Sequence, residues 1–136
     1  MTKKLLIELT YEIIGASIEV RKTLVPGLLE SVYHKCLKHE FFIRNLDCKS
    51  ELLVPVAYKG INIDTELKCD FLIKDSIVLE IKATDTIRPI YEAQLLTYMK
   101  LLKKPKGILI NFNCINLYKD GQKSYVNELY RDLPEE

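Results

Sequence analysis

The chain has 136 residues, 48% apolar and 29% charged, with 20 Lys+Arg against 19 Asp+Glu and a net charge of +1. That length suits one domain, residues 1–136, with a core that needs no disulfide or metal staple. The composition excludes a disordered chain, and the charge excludes a polycation that holds nucleic acid by bulk attraction, so phosphate binding would need a local patch.

No apolar run approaches the ~20 residues of a membrane helix. Glu8 and Glu12 interrupt the apolar stretch after Lys3 and Lys4, so no signal peptide is expected and the chain reads as soluble and cytoplasmic. Leu6, Leu9, Ile13, Ala16 and Val20 recur at steps of three and four, predicting an amphipathic helix from Thr2 to Thr23. Pro26-Gly27 breaks it. A second helix is predicted from Gly27 to Arg44, with Leu29, Val32, Tyr33, Cys36, Leu37 and Phe41 inward. His34, Cys36 and His39 suggest zinc ligands only weakly, because a five-residue helical step separates the two histidines by roughly 140°. The alternative is a pair of solvent-facing histidines. Cys36, Cys48, Cys69 and Cys114 lack paired spacing and read as reduced, partly buried thiols.

After a predicted loop at Asn45 to Ser50 the period changes to two. Leu52, Val54, Val56 and Tyr58 alternate, Lys59-Gly60 offers a turn, and Ile61 and Ile63 resume the alternation. Pro55 places the first of these strands on an edge. Leu67–Ile73 and Ile77–Ile81 read as a hairpin of core strands around Lys74-Asp75-Ser76. Pro89 opens a third helix that runs to Leu102, with Tyr91, Leu95, Met99 and Leu102 on one face, and Pro105 stops it. Gly107 to Phe112 is an apolar strand, Asp120-Gly121 suggests a last hairpin, and the acidic tail is free to fray. The order ααββββαββ implies an α/β domain with a mixed sheet flanked by helices.

Asp70, Glu80 and Lys82 interrupt otherwise apolar strands, where a charge is costly without a partner. A three-residue loop pairs Ile73 with Ile77, Leu72 with Val78 and Asp70 with Glu80. The two acids then share a face about 5 Å apart, with Lys82 following on that face. A hard divalent cation between them would remove the like-charge penalty. A two-residue loop would instead put them on opposite faces, and a plain surface ion-pair ladder is the other reading.

Asp70 followed by Glu80-Ile81-Lys82 resembles the PD-(D/E)xK nuclease superfamily, with Cys69 where the superfamily name has proline. Gly27-Leu28-Leu29-Glu30-Ser31-Val32-Tyr33 resembles the signature of the GxxExxY proteins within it. Gln94-Leu95-Leu96-Thr97-Tyr98 is similar to the Q-x-x-x-Y element of RecB-type and lambda-exonuclease-type nuclease domains. The resemblance implies a restriction-endonuclease-like core and a magnesium-dependent nuclease acting on nucleic acid, most naturally DNA, with manganese as substitute. It implies that Asp70, Glu80 and the Ile81 backbone carbonyl hold the metal, with Glu30 reaching it through water. Lys82 would orient the attacking water and Gln94 would brace the site.

Each flanking residue also has a plainer reading. Glu30 favours the positive end of a helix, and Tyr33 and Tyr98 suit a core as well as substrate contact. Arg88 is a fork-shaped donor for a phosphate. Lys100, Lys103, Lys104 and Lys106 complement a helix C-terminus or form a phosphate rim. A homodimer embracing a duplex is compatible with the size. The rival function is a nuclease-like fold kept as a nucleic-acid or protein interaction module, which the near-neutral charge favours.

Overall fold

The computed structural model describes Met1–Glu136. Two helices, α1 (Lys3–Thr23) and α2 (Glu30–Ile43), precede β1 (Cys48–Leu53), β2 (Val56–Tyr58), β3 (Ile61–Ile63), β4 (Lys68–Ile73) and β5 (Ile77–Lys82). Helix α3 (Pro89–Leu102), β6 (Lys106–Asn111), α4 (Leu117–Asp120), β7 (Gln122–Val126) and α5 (Glu128–Arg131) follow. The main sheet has the order β1-β4-β5-β6-β7, and β2 and β3 form a separate ribbon. Only β5 and β6 run parallel, joined by the α3 crossover. This is a mixed sheet flanked by helices, the restriction-endonuclease-like arrangement. No helix is long and apolar enough to cross a membrane.

Alternation in the strands builds two cores. Phe71, Ile73, Ile77, Leu79, Ile81, Ile108 and Ile110 pack under α1 and α2 with Leu6, Ile13, Leu37 and Phe41. Leu72, Val78 and Leu109 pack on the other face with Leu95, Tyr98 and Met99 of α3. Strand β6 serves both cores and is buried throughout. The inward face expected for α1 is buried at every position, and α3 begins at Pro89 and ends at Leu102 as the sequence predicts. The hairpin register also matches, with Ile73 opposite Ile77 and Leu72 opposite Val78 around Lys74 and Asp75, both at positive φ.

Several local expectations are corrected. Helix α2 starts at Glu30 rather than Gly27, because Gly27 takes φ +93° and Leu29 is extended. Leu29 and Val32 are therefore exposed instead of facing inward. The loop expected at Asn45 to Ser50 already contains the start of β1. Its alternation of half-buried and exposed residues is that of an edge strand with few apolar side chains. Val54-Pro55 divides the next stretch into β1 and β2, since proline cannot donate to a ladder, so five strands precede α3 instead of four.

The final β6–β7 pairing passes through α4 rather than a tight turn. Gly121 is there for close approach, because a Cβ would lie 2.7 Å from Cys114 Sγ and 2.8 Å from the Asn111 carbonyl. The tail does not fray. The Lys3 and Lys4 amides donate to the Pro134 and Glu135 carbonyls at 2.9 and 3.0 Å, giving partners to otherwise unpaired groups at the start of α1.

Candidate metal-binding and active site

The ladder between β4 and β5 ends at Phe71 opposite Leu79, one residue short of the two acids. Strict alternation would place Cys69 with Phe71, yet Cys69 packs with Leu72 and Val78 on the α3 side. The pleat therefore changes at Asp70. Opposite it in β1, Glu51 adopts φ +52° and drops out of the β1–β4 register.

Side chains take over where the ladder stops. The Ile81 amide donates to Asp70 Oδ2 at 2.8 Å, and the Asp70 amide donates to Glu80 Oε2 at 3.2 Å. The expected cross-strand pair is thus an interlock, with each carboxylate turned into the gap between the strands. Within a strand residue the N–H and C=O point to the same side, so the Ile81 carbonyl also faces this gap.

Glu80 is only 4% exposed, and no Lys, Arg or His ion pair forms with it or with Asp70. Burial pushes the Glu80 carboxyl well above the ordinary carboxylate range. The hydrogen bond and charge of Asp70 push it further, against a smaller downward pull from Lys82. The same negative field acts behind the sheet. The Cys69 thiol is pushed up to about 12, by burial first and then by Glu80 and Asp70.

Lys82 follows Glu80 by two residues, and its ammonium stands 4.6 Å from the centre of the Tyr91 ring. Glu30, at the first turn of α2, feels Lys82, Asp70 and His34. Its carboxyl is raised by partial burial first, with Asp70 adding and Lys82 and His34 opposing. Glu30 does not close a cage with the other acids, and no three Asp, Glu, His or Cys side chains are grouped tightly enough to hold an ion alone. Two carboxylates and a carbonyl without a cationic partner suit a hard ion that keeps several positions for water and substrate.

The other predicted residues divide. Gln94 Nε2 donates to the Tyr98 hydroxyl at 2.9 Å, and Tyr98 lies buried near the charge of Glu80. Tyr98 therefore lies in the α3-side core with its hydroxyl paired to Gln94. Tyr33 is likewise placed in the core. It is fully buried and stacked on Phe112, with ring centroids 4.7 Å apart. Its hydroxyl donates to the Val25 carbonyl at 2.7 Å and accepts from the Leu28 amide at 3.3 Å. Gly27 and Tyr33 thus fix the turn that sets Glu30 at the start of α2.

Arg88 is exposed at the N-cap of α3 and makes no ion pair, leaving its guanidinium available. The lysine group after α3 is not a rim of this site. Lys106 pairs with Ile77 at the opposite end of β5, and Lys104 binds Asp75 at 2.9 Å in the β4–β5 turn.

The structure adds two neighbours to this set. His34 stacks on Phe71 at 4.4 Å, with Nε2 3.4 Å from the Asp70 carbonyl and 3.5 Å from Ser50 Oγ. Only His39 is the exposed histidine, and the two do not converge on a metal. Helical spacing was the available signal, since His34 lies four residues after Glu30 and Tyr91 lies three before Gln94. All four cysteines are free, Cys69 buried and the others half-buried.

No curated protein and no solved structure matches the chain significantly. A family model of the PD-(D/E)XK nuclease superfamily matches residues 7–124, a span that contains Glu30, Asp70, Glu80, Lys82 and Gln94. The chain belongs to the PD-(D/E)XK nuclease superfamily.

Proposed function

We propose that residues 1–136 form one nuclease domain of the GxxExxY type, which hydrolyses phosphodiester bonds of DNA with magnesium, or manganese in its place, and works in the cytoplasm. Nucleases of this superfamily are generally dependent on a divalent metal. The observation that carries the reading is the Asp70–Glu80 interlock, two unpaired carboxylates turned into one gap beside Lys82.

Asp70, Glu80 and the Ile81 carbonyl would hold the ion, and Glu30 would bind a water beside it. When bound, the ion supplies Lewis-acid polarisation of the scissile phosphate and a more acidic water. Lys82 orients the attacking water and stabilises the negative charge that develops in the transition state. Its ammonium is steadied over the Tyr91 face, and the Gln94–Tyr98 pair supports the floor under Glu80. Arg88 offers a fork of donors to a neighbouring phosphate.

Incubation with labelled linear, circular and single-stranded DNA, with and without manganese, tests this directly. Metal-dependent cleavage lost in Asp70→Ala is the expected result. Metal binding with no cleavage of any substrate would favour the interaction module. Absence of any specific stabilisation by magnesium or manganese would remove the site itself.

Acidity adds a second test. Burial raises the Glu80 carboxyl above its unfolded value of 4.5, so folding disfavours its charged form. Without metal, its contribution to stability is most favourable below that value and declines as pH rises toward the raised value. Magnesium requires the deprotonated form, so the magnesium-induced rise in Tm should grow over the same window. Melting curves at several pH values measure both trends, and a magnesium shift that is constant with pH contradicts the assignment.

A further inference from the structure

We propose that the β2–β3 hairpin is an arm that contacts the unstacked bases of single-stranded nucleic acid beside the candidate active site, a proposal that rests on the nuclease reading above. Strand β1 leaves the main sheet at Leu53, opposite Lys68, and β4 re-enters two residues before Asp70. The Val54 amide donates to the Leu67 carbonyl at 2.8 Å across the neck, and the Val54 side chain is buried in the α3-side core. The hairpin is thus rooted at the end of the sheet that carries Asp70, Glu80 and Lys82.

Its form is specified by the chain. Lys59 and Gly60 take φ +47° and +88°, the two positive values of a tight two-residue turn that matches strand twist. The register sets Val56 opposite Ile63 and Tyr58 opposite Ile61, which puts all four on one face. Tyr58, Ile61 and Ile63 are 59%, 60% and 39% exposed. A bare two-stranded ribbon is marginal in water, and this one turns an aromatic and branched face outward.

The occupant follows from chemistry and size. An intact duplex offers mainly phosphates, and the chain carries a net charge of only +1, with Asp64 and Glu66 at the base of the arm. Unstacked bases offer π faces. The Lys59 ammonium stands 5.4 Å from the Tyr58 ring centre, so the tip combines a stacking surface with one cation for the adjoining phosphate. Four side chains cover far less than the roughly 800 Å² per partner of a stable protein interface, which disfavours a second copy of the chain.

Fluorescence anisotropy of the full chain with labelled oligothymidylate and with a duplex of equal length, in EDTA to prevent cleavage, tests the arm. The single strand should bind more tightly than the duplex. Tyr58→Ala should weaken single-strand binding roughly 5- to 150-fold, the loss of one stacked base, while Tyr58→Phe keeps the affinity. Undiminished binding by Tyr58→Ala, tighter binding of the duplex, or no binding of the single strand overturns the proposal. A change of sedimenting mass in Tyr58→Ala with oligonucleotide affinity intact would assign the face to a second copy instead. Because binding is read without metal, a failure to cleave DNA with this binding intact would count against the nuclease reading alone.

Discussion

Lys82→Ala is expected to lower the rate of DNA cleavage roughly 100- to 1,000-fold while leaving manganese affinity unchanged or slightly improved. The ammonium lies over Tyr91 and makes no ion pair, so its removal leaves no carboxylate of the fold newly unpaired. It also takes a positive charge away from the proposed metal ligands, which favours a cation there and is partly offset by losing the pull of Lys82 that helps keep Glu80 and Glu30 deprotonated. The loss therefore falls on the chemical step, where charge develops on the phosphate and the attacking water must be held. Isothermal titration with manganese and single-turnover cleavage separate the two effects. Full-rate cleavage by the variant would show that the lysine has no part in the chemistry. A matching loss of metal affinity would show that it supports the ligands rather than the reaction.

The two-residue period of β4 and β5 and the three-residue turn between them were legible because each rests on local chemistry, namely alternation and a loop able to take positive φ. Their register alone brings Asp70 and Glu80 together across the two strands. The break in the ladder was not legible. It depends on Glu51 leaving the register of a neighbouring strand and on Cys69 joining Val78 and the α3 side chains in one core, and neither is encoded within β4 itself. Tyr33 shows the opposite case. Its motif was visible, but its role depends on a hydroxyl reaching back to Val25 and Leu28, which spacing alone cannot distinguish from substrate contact. Alternation on either side of Lys59-Gly60 marks the two strands of the ribbon in the sequence, but not the break between β1 and β2. That the ribbon leaves the main sheet follows from Pro55, which is visible in the sequence, and from the burial of Val54, which is a tertiary outcome.

Glu80→Gln should produce a protein that is more stable without metal and unable to hold it. The amide keeps the volume of the side chain and an acceptor for the Asp70 amide, so the interlock survives. It removes a carboxyl whose ionisation is opposed by burial and by the facing Asp70, so that folding at neutral pH no longer has to protonate it. Removal of that cost should raise metal-free stability by on the order of 1–3 kcal/mol, read as a higher urea midpoint with an unchanged slope. The same change deletes an anionic oxygen of the proposed metal site. Substituting residues that merely orient metal ligands commonly costs roughly 10- to 100-fold in affinity, so losing the ligand itself should cost about 100-fold or more. Magnesium should then no longer raise Tm, and cleavage should disappear with metal binding, unlike in Lys82→Ala. Stability and activity would thus move in opposite directions at one position, as expected where a fold tolerates repulsion to keep a site ready for a cation. A Glu80→Gln protein that is less stable than the unmodified chain, or that still gains Tm with magnesium, would mean that the carboxylate serves the fold and not the metal.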